Sequence, residues 1–220
     1  MAMTNSADAA SRDPAPAPTP APAVQPPWLL ARFAQGAIAV ATVAGVVQGV
    51  VGQRDRHPGS TDASVSASGL ASMVLVYAMT AAAVLFLIWF SRARRTALLL
   101  STGSVAGSAG WAVLAWLIPV VNLWVPRQLL LEVRRASAAA SGKADRRGLV
   151  NAWWAAWVAR VVLAVLAVVS RAAWGPALAA LSGVLFAAAG VLVICVIQDI
   201  TALQGAAVRS DPAAGPLDRS

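Results

Sequence analysis

Four stretches of the chain, about residues 28–52, 69–90, 149–170 and 177–200, are apolar on every side and only sparsely interrupted by polar residues. A helix of some twenty residues rises about 30 Å, the thickness of a bilayer's hydrocarbon core. The pattern therefore predicts four full membrane spans. The first is interrupted by Arg32, Gln35, Thr42 and Gln48, and its Gly45-Val46-Val47-Gln48-Gly49 is a GxxxG that permits close helix approach. Residues 53–68 read as a polar loop. The second span ends in Trp89-Phe90, with Ser91-Arg92-Ala93-Arg94-Arg95 coming directly after it. Aromatic rings favour the headgroup level and arginines the cytoplasmic side, so this junction predicts an exit into the cytosol. The third span opens with Trp153, Trp154 and Trp157 and contains Arg160. The short turn 171–176 makes the third and fourth spans antiparallel neighbours.

Residues 111–126 are harder to place. This apolar stretch would rise only about 22 Å as a helix, and Pro119 within it removes a backbone donor. Both of its flanks are basic. Segment 91–148 holds nine basic and two acidic residues, a balance of +7 against +8 for the whole chain. A true crossing would put one basic flank outside. The preferred reading is a re-entrant or interfacial hairpin broken at Pro119, with a five-span chain as its rival. Beyond it, 127–148 reads as a basic amphipathic region suited to an anionic leaflet, with Leu129, Leu130 and Val133 apolar and Arg127, Arg134 and Arg135 basic.

Composition agrees with lipid as solvent. Apolar residues make up 59% of the 220 and charged residues 12%, about half the charged share of a soluble domain. Sixteen arginines and one lysine then read as an orientation signal rather than as a nucleic-acid surface. With 91–148 inside, both termini fall in the cytosol. Residues 1–27, rich in alternating Pro and Ala, predict an extended, disordered tail, and 205–220 a second one. Cys195, the single cysteine, allows no disulfide within the chain and is expected to be a small buried hydrophobe.

Polar residues at membrane depth are the candidate sites. Arg160 is either a cation that binds an anion or lipid headgroup, or a snorkelling side chain drawn to the interface. Asp199 either pairs with Arg160 or marks the exit of the last span. Asn122, between Pro119 and Pro126, either caps the returning helix or contacts a substrate. Arg94 and Trp153 complete the set. His57 is the only histidine and lies in a loop, which excludes histidine triads and multi-histidine metal sites within one chain. No phosphate loop, HExxH or GxSxG motif occurs. No cofactor, metal or catalytic residue is expected.

Three stretches together carry a resemblance: Trp89 to Ala97; Gly110-Trp111 through Trp116-Leu117-Ile118-Pro119-Val120-Val121-Asn122-Leu123-Trp124-Val125-Pro126-Arg127-Gln128; and Trp153-Trp154-Ala155-Ala156-Trp157. They resemble the bacterial membrane proteins grouped as domain of unknown function 4328, over about residues 70–200. Thr96 stands where that pattern suggests Asn. The resemblance implies an all-α, polytopic membrane bundle in a bacterial plasma membrane and supplies no mechanism. The resulting expectation is a non-enzymatic scaffold or accessory subunit. Its partners would be the bilayer, anionic lipid at 91–148, and a protein or a second copy, with no nucleic acid. A small transporter or channel, with its polar site at Pro119–Pro126, is the alternative.

Overall fold

The computed structural model describes residues 25–54, 62–100, 124–169 and 174–210. The N-terminal tail to residue 24, the loop 55–61 with His57, residues 101–123 with Pro119 and Asn122, the turn 170–173 and the tail from 211 lie outside the described residues. All described elements are helices: α1 (Trp28–Arg54), α2 (Asp62–Leu100), α3 (Val125–Ala140), α4 (Gly148–Val169) and α5 (Gly175–Ser210). Four of them, α1, α2, α4 and α5, are long and apolar enough to cross a membrane. The chain is a helical membrane bundle.

Two helices outrun their spans. At 39 and 36 residues, α2 and α5 extend to about 58 and 54 Å, well beyond a 30 Å core. The arginine run after Phe90 contains no glycine or proline to stop a helix, so α2 leaves the apolar region and simply continues. Likewise α5 passes Ile200, and residues 205–210 are helix rather than tail. At the other end α2 already begins at Asp62, inside the stretch whose composition suggests a polar loop.

Helix α1 packs against α2 and α5, and α4 packs along α5, while α2 and α4 scarcely meet. The close approach of α1 to α5 rests on two small residues. A methyl group at Gly45 would land on Phe186, and one at Gly190 on the side chain of Thr42. Gly49, the second glycine of the GxxxG, faces open space. The motif is therefore not used as a pair. Gly190→Ala is expected to destabilise the bundle by about 1–3 kcal/mol through overpacking, read as a lower midpoint in a detergent-denaturation titration. An unchanged midpoint would show that Thr42 can yield at no cost.

The two glutamines of the first span act between helices. Gln35 Nε2 donates to the Ile194 carbonyl (3.2 Å), tying α1 to α5, and Gln48 Nε2 donates to Ser72 Oγ (2.9 Å), tying α1 to α2. In hydrocarbon these amides have no water to satisfy them, so a neighbouring helix does so.

Packing is uneven along the bundle axis. The buried core, including Phe86, Trp89, Phe90, Leu130, Trp153 and Ile197, occupies one end. Towards the opposite end, Val43, Val50, Tyr77, Val165, Val168 and Val184 are exposed, which is the expected condition of side chains solvated by lipid tails. Cys195 is exposed as well, on the outer side of α5, so the expectation of a buried thiol is corrected. An α5 that is apolar all round gives no sequence signal for which face turns inward.

Candidate functional site

The packed end of the bundle is also its basic end. It gathers the start of α1, the ends of α2 and α5, all of α3 and the start of α4. Trp28 lies against Gly205, where a Cβ would meet its ring at 2.8 Å. Gln204 Nε2 donates to the Ala93 carbonyl at 2.7 Å and to Ser137 Oγ at 3.3 Å, joining α5 to α2 and α3. Helices α2 and α3 thus end and begin on the same side of the bundle, as four spans require.

Helix α3 starts with Pro126 in its first turn, where a missing N–H costs nothing. Its N-cap position is Trp124, whose side chain makes no capping bond, and the expected cap, Asn122, lies outside the described residues. Along one face Pro126, Leu129, Leu130, Val133, Arg134 and Ser137 are buried. That face packs against α2 and α5. The amphipathic region therefore covers protein with its apolar side, not an anionic leaflet. At its far end Gly142, at φ +66°, closes the helix: Gly142 N–H donates to the Ala139 carbonyl and Lys143 N–H to that of Ala138. This left-handed glycine cap turns the chain back and sets Asp145 beneath the helix.

Arg134 is the hub of the site. Its side chain is 4% exposed, with Nε donating to Asp199 Oδ2 and Nη1 to Asp145 Oδ1, both at 2.7 Å. A buried guanidinium is thereby held by two carboxylates, one from α5 and one from the α3–α4 loop. Asp199 consequently neither pairs with Arg160 nor simply marks an exit. Asp145 also accepts from Arg147 Nε at 2.8 Å and lies 3.9 Å from Arg135 Nε. Burial, the largest single influence on Asp145, raises its pKa. The hydrogen bond and charge of Arg147, with those of Arg134, together outweigh it, so the carboxyl sits below its ordinary 3.8. A depressed carboxyl stabilises the fold above its unfolded pKa, and that contribution is lost as pH falls through the folded one. The denaturation midpoint is expected to drop as pH is lowered below 3.8. In Asp145→Asn the acid limb should flatten, and an equally steep limb in the variant would assign it to other groups.

The remaining sequence candidates divide. Trp89 is fully buried and its Nε1 donates to Thr201 Oγ1 at 3.2 Å, so it faces the bundle interior and not lipid. Arg94 is 4% exposed, which leaves Arg92 and Arg95 as the outward members of that cluster. Trp153 and Pro126 belong to the packed interior. Arg127 Nε donates to Asn151 Oδ1 at 3.0 Å and its guanidinium lies 5.3 Å from the Trp154 ring, locking α3 to α4. Arg160 stands apart, halfway along α4, its guanidinium 5.2 Å from the Trp157 ring and 4.8 Å from that of Phe186. The side chain folds back over the preceding turn instead of snorkelling to the nearer helix end.

Sequence reasoning missed Arg134, Asp145, Thr201 and Gln204. The available signal was a cation at the edge of the apolar stripe of α3 and polar residues recurring at one helical spacing, Thr201 and Gln204, past the last span. Among the described residues no three His, Cys, Asp or Glu side chains come together as metal ligands. The arrangement acts as a clamp, holding three helices and one loop at the basic end.

No curated protein and no solved structure matches the chain. A family model does match, over residues 52–202, most of α2 to α5 and more than half the sequence. The chain belongs to the family described as Domain of unknown function (DUF4328).

Proposed function

We propose that this protein is a non-enzymatic membrane scaffold or accessory subunit, seated in a bacterial plasma membrane with its basic end in the cytosol. One observation carries the reading. Apart from Arg160, the polar side chains at depth join helices to one another, as Gln35, Gln48 and Ser182 do, instead of converging on one point where a reaction would occur. The outward cations at the basic end, Arg92, Arg95, Arg135 and Arg147, supply a contact surface for acidic protein or anionic lipid. The positive-inside bias supports the orientation.

Affinity capture of the full chain from gentle detergent is expected to recover a partner, with recovery lost in the Arg92→Glu/Arg95→Glu variant. Capture of the protein alone would overturn the reading. Reporter fusions after residue 105, near 140 and at the C-terminus are expected to report the cytosolic side at all three points. A small transporter or channel is the rival, and Arg160 favours it by placing a cation in the middle of a span. Flux through reconstituted liposomes that Arg160→Ala leaves unchanged would remove that support.

A further inference from the structure

Because α2 and α4 scarcely meet, a cavity of about 260 Å³ opens between them, floored by α1 and α5. Its walls are apolar, with Met79 and Phe86 on one side, Trp153 and Trp157 on the other, and Phe186 below. Thr42 contributes a hydroxyl, which already donates to the Ile38 carbonyl. Two of these walls, Trp157 and Phe186, are also the rings that carry the guanidinium of Arg160.

Arg160 lies twelve residues from the start of α4 and nine from its end, about 18 and 14 Å along the axis. That is the middle of the hydrocarbon, where a cation is costly and is ordinarily paired. The aromatic faces offset part of that cost but accept no N–H hydrogen bond of ordinary strength. Arg160 Nε is buried with no hydrogen-bond partner, and the guanidinium has no carboxylate within ion-pairing distance among the described residues. This unpaired cation lies against Trp157 and Phe186, two of the rings that wall the apolar groove.

We propose that this groove binds a long-chain monocarboxylate, its carboxylate paired with the Arg160 guanidinium and its alkyl chain lying between α2 and α4. Charge complementarity selects the anion, since a planar guanidinium matches a carboxylate with two parallel hydrogen bonds. Depth selects the class. A phospholipid phosphate is held at headgroup level, more than ten ångströms from this cation, whereas a single-chain acid can sink to it as one small polar group. A hydrated inorganic anion would gain nothing from the apolar walls. This inference does not depend on the scaffold reading.

The test uses the full chain in nanodiscs of dioleoylphosphatidylcholine, with radiolabelled palmitate as probe and empty nanodiscs as background. Saturable binding above background is expected. Arg160→Met should weaken it at least about tenfold, the loss of a charge-assisted bidentate pair. Ala83→Phe, which fills the groove from its exposed rim and leaves Arg160 in place, should weaken it as well. Hexadecanol, with the same chain and no charge, should compete at least about tenfold less well than unlabelled palmitate. Arg160→Met binding palmitate like the parent protein overturns the proposal, as does non-saturable uptake equal to that of empty discs. Equal competition by phosphatidylglycerol overturns it in favour of a phospholipid site. Should Arg160→Met fail to fold, the Ala83→Phe variant and the hexadecanol comparison decide.

Discussion

Replacing Trp89 by alanine is expected to destabilise the bundle by about 3 kcal/mol. The indole is fully buried, lies 5.7 Å from the Phe86 ring, and donates to Thr201. Truncation leaves a void in the most densely packed layer, where α2, α3 and α5 meet. In water-soluble proteins such losses span about 3–5 kcal/mol, partly from transfer of the side chain out of water. The lower end applies here, because lipid tails solvate an indole better than water does and the remaining loss is packing. Thr201 keeps its own bond to the Ile197 carbonyl, so no donor is stranded. Trp89→Phe, which keeps most of the volume and gives up only the hydrogen bond, should cost about 1 kcal/mol. Denaturation in mixed micelles, monitored by circular dichroism, separates the two. Equal losses for Phe and Ala would mean that the hydrogen bond, not the volume, holds the layer.

Arg134→Met should have a comparable effect, at about 2–4 kcal/mol. Removing one partner of a buried ion pair strands the other, which costs about 3–5 kcal/mol when the survivor stays dry. Here the survivors are Asp145 and Asp199, with side chains 24% and 35% exposed, so water recovers part of the loss. The reverse substitution is informative. Asp199→Asn leaves Arg134 one carboxylate, Asp145, and should cost less than Arg134→Met. A double-mutant cycle between Arg134 and Asp199 should give a coupling of about 1–3 kcal/mol, and a coupling near zero would show the contact to be energetically idle.

The spans were legible because lipid imposes a length and a composition that few other contexts impose. Hydropathy reports the solvent, however, and not the helix. The run Ser91-Arg92-Ala93-Arg94-Arg95 marks where the solvent changes, yet nothing in it ends hydrogen bonding, so α2 continues to Leu100. Hydropathy sets Trp89 and Phe90 at the interface on the same ground. Their burial comes instead from α3 folding over them, a tertiary event without local signature. The Arg134 pairs bridge 11 and 65 residues of sequence, and the Trp89–Thr201 bond bridges 112. Periodicity could place Arg134 at the edge of a stripe but could not name its partners. The same reasoning failed for Cys195, where an all-apolar helix hides its own rotation. The four membrane-length helices among the described residues and the antiparallel pairing of α4 with α5 were available from residue pattern and loop length alone, and the family match over 52–202 agrees with the resemblance drawn from the tryptophan and proline spacing.

The seat of Trp28 against Gly205 has an implication for anything fused to, or carried by, the two flanking segments. It brings the start of α1 and the last turns of α5 to one face as near neighbours. Two weak binding elements attached at these points would engage a common target at a high effective concentration, so modest individual affinities would multiply into avidity.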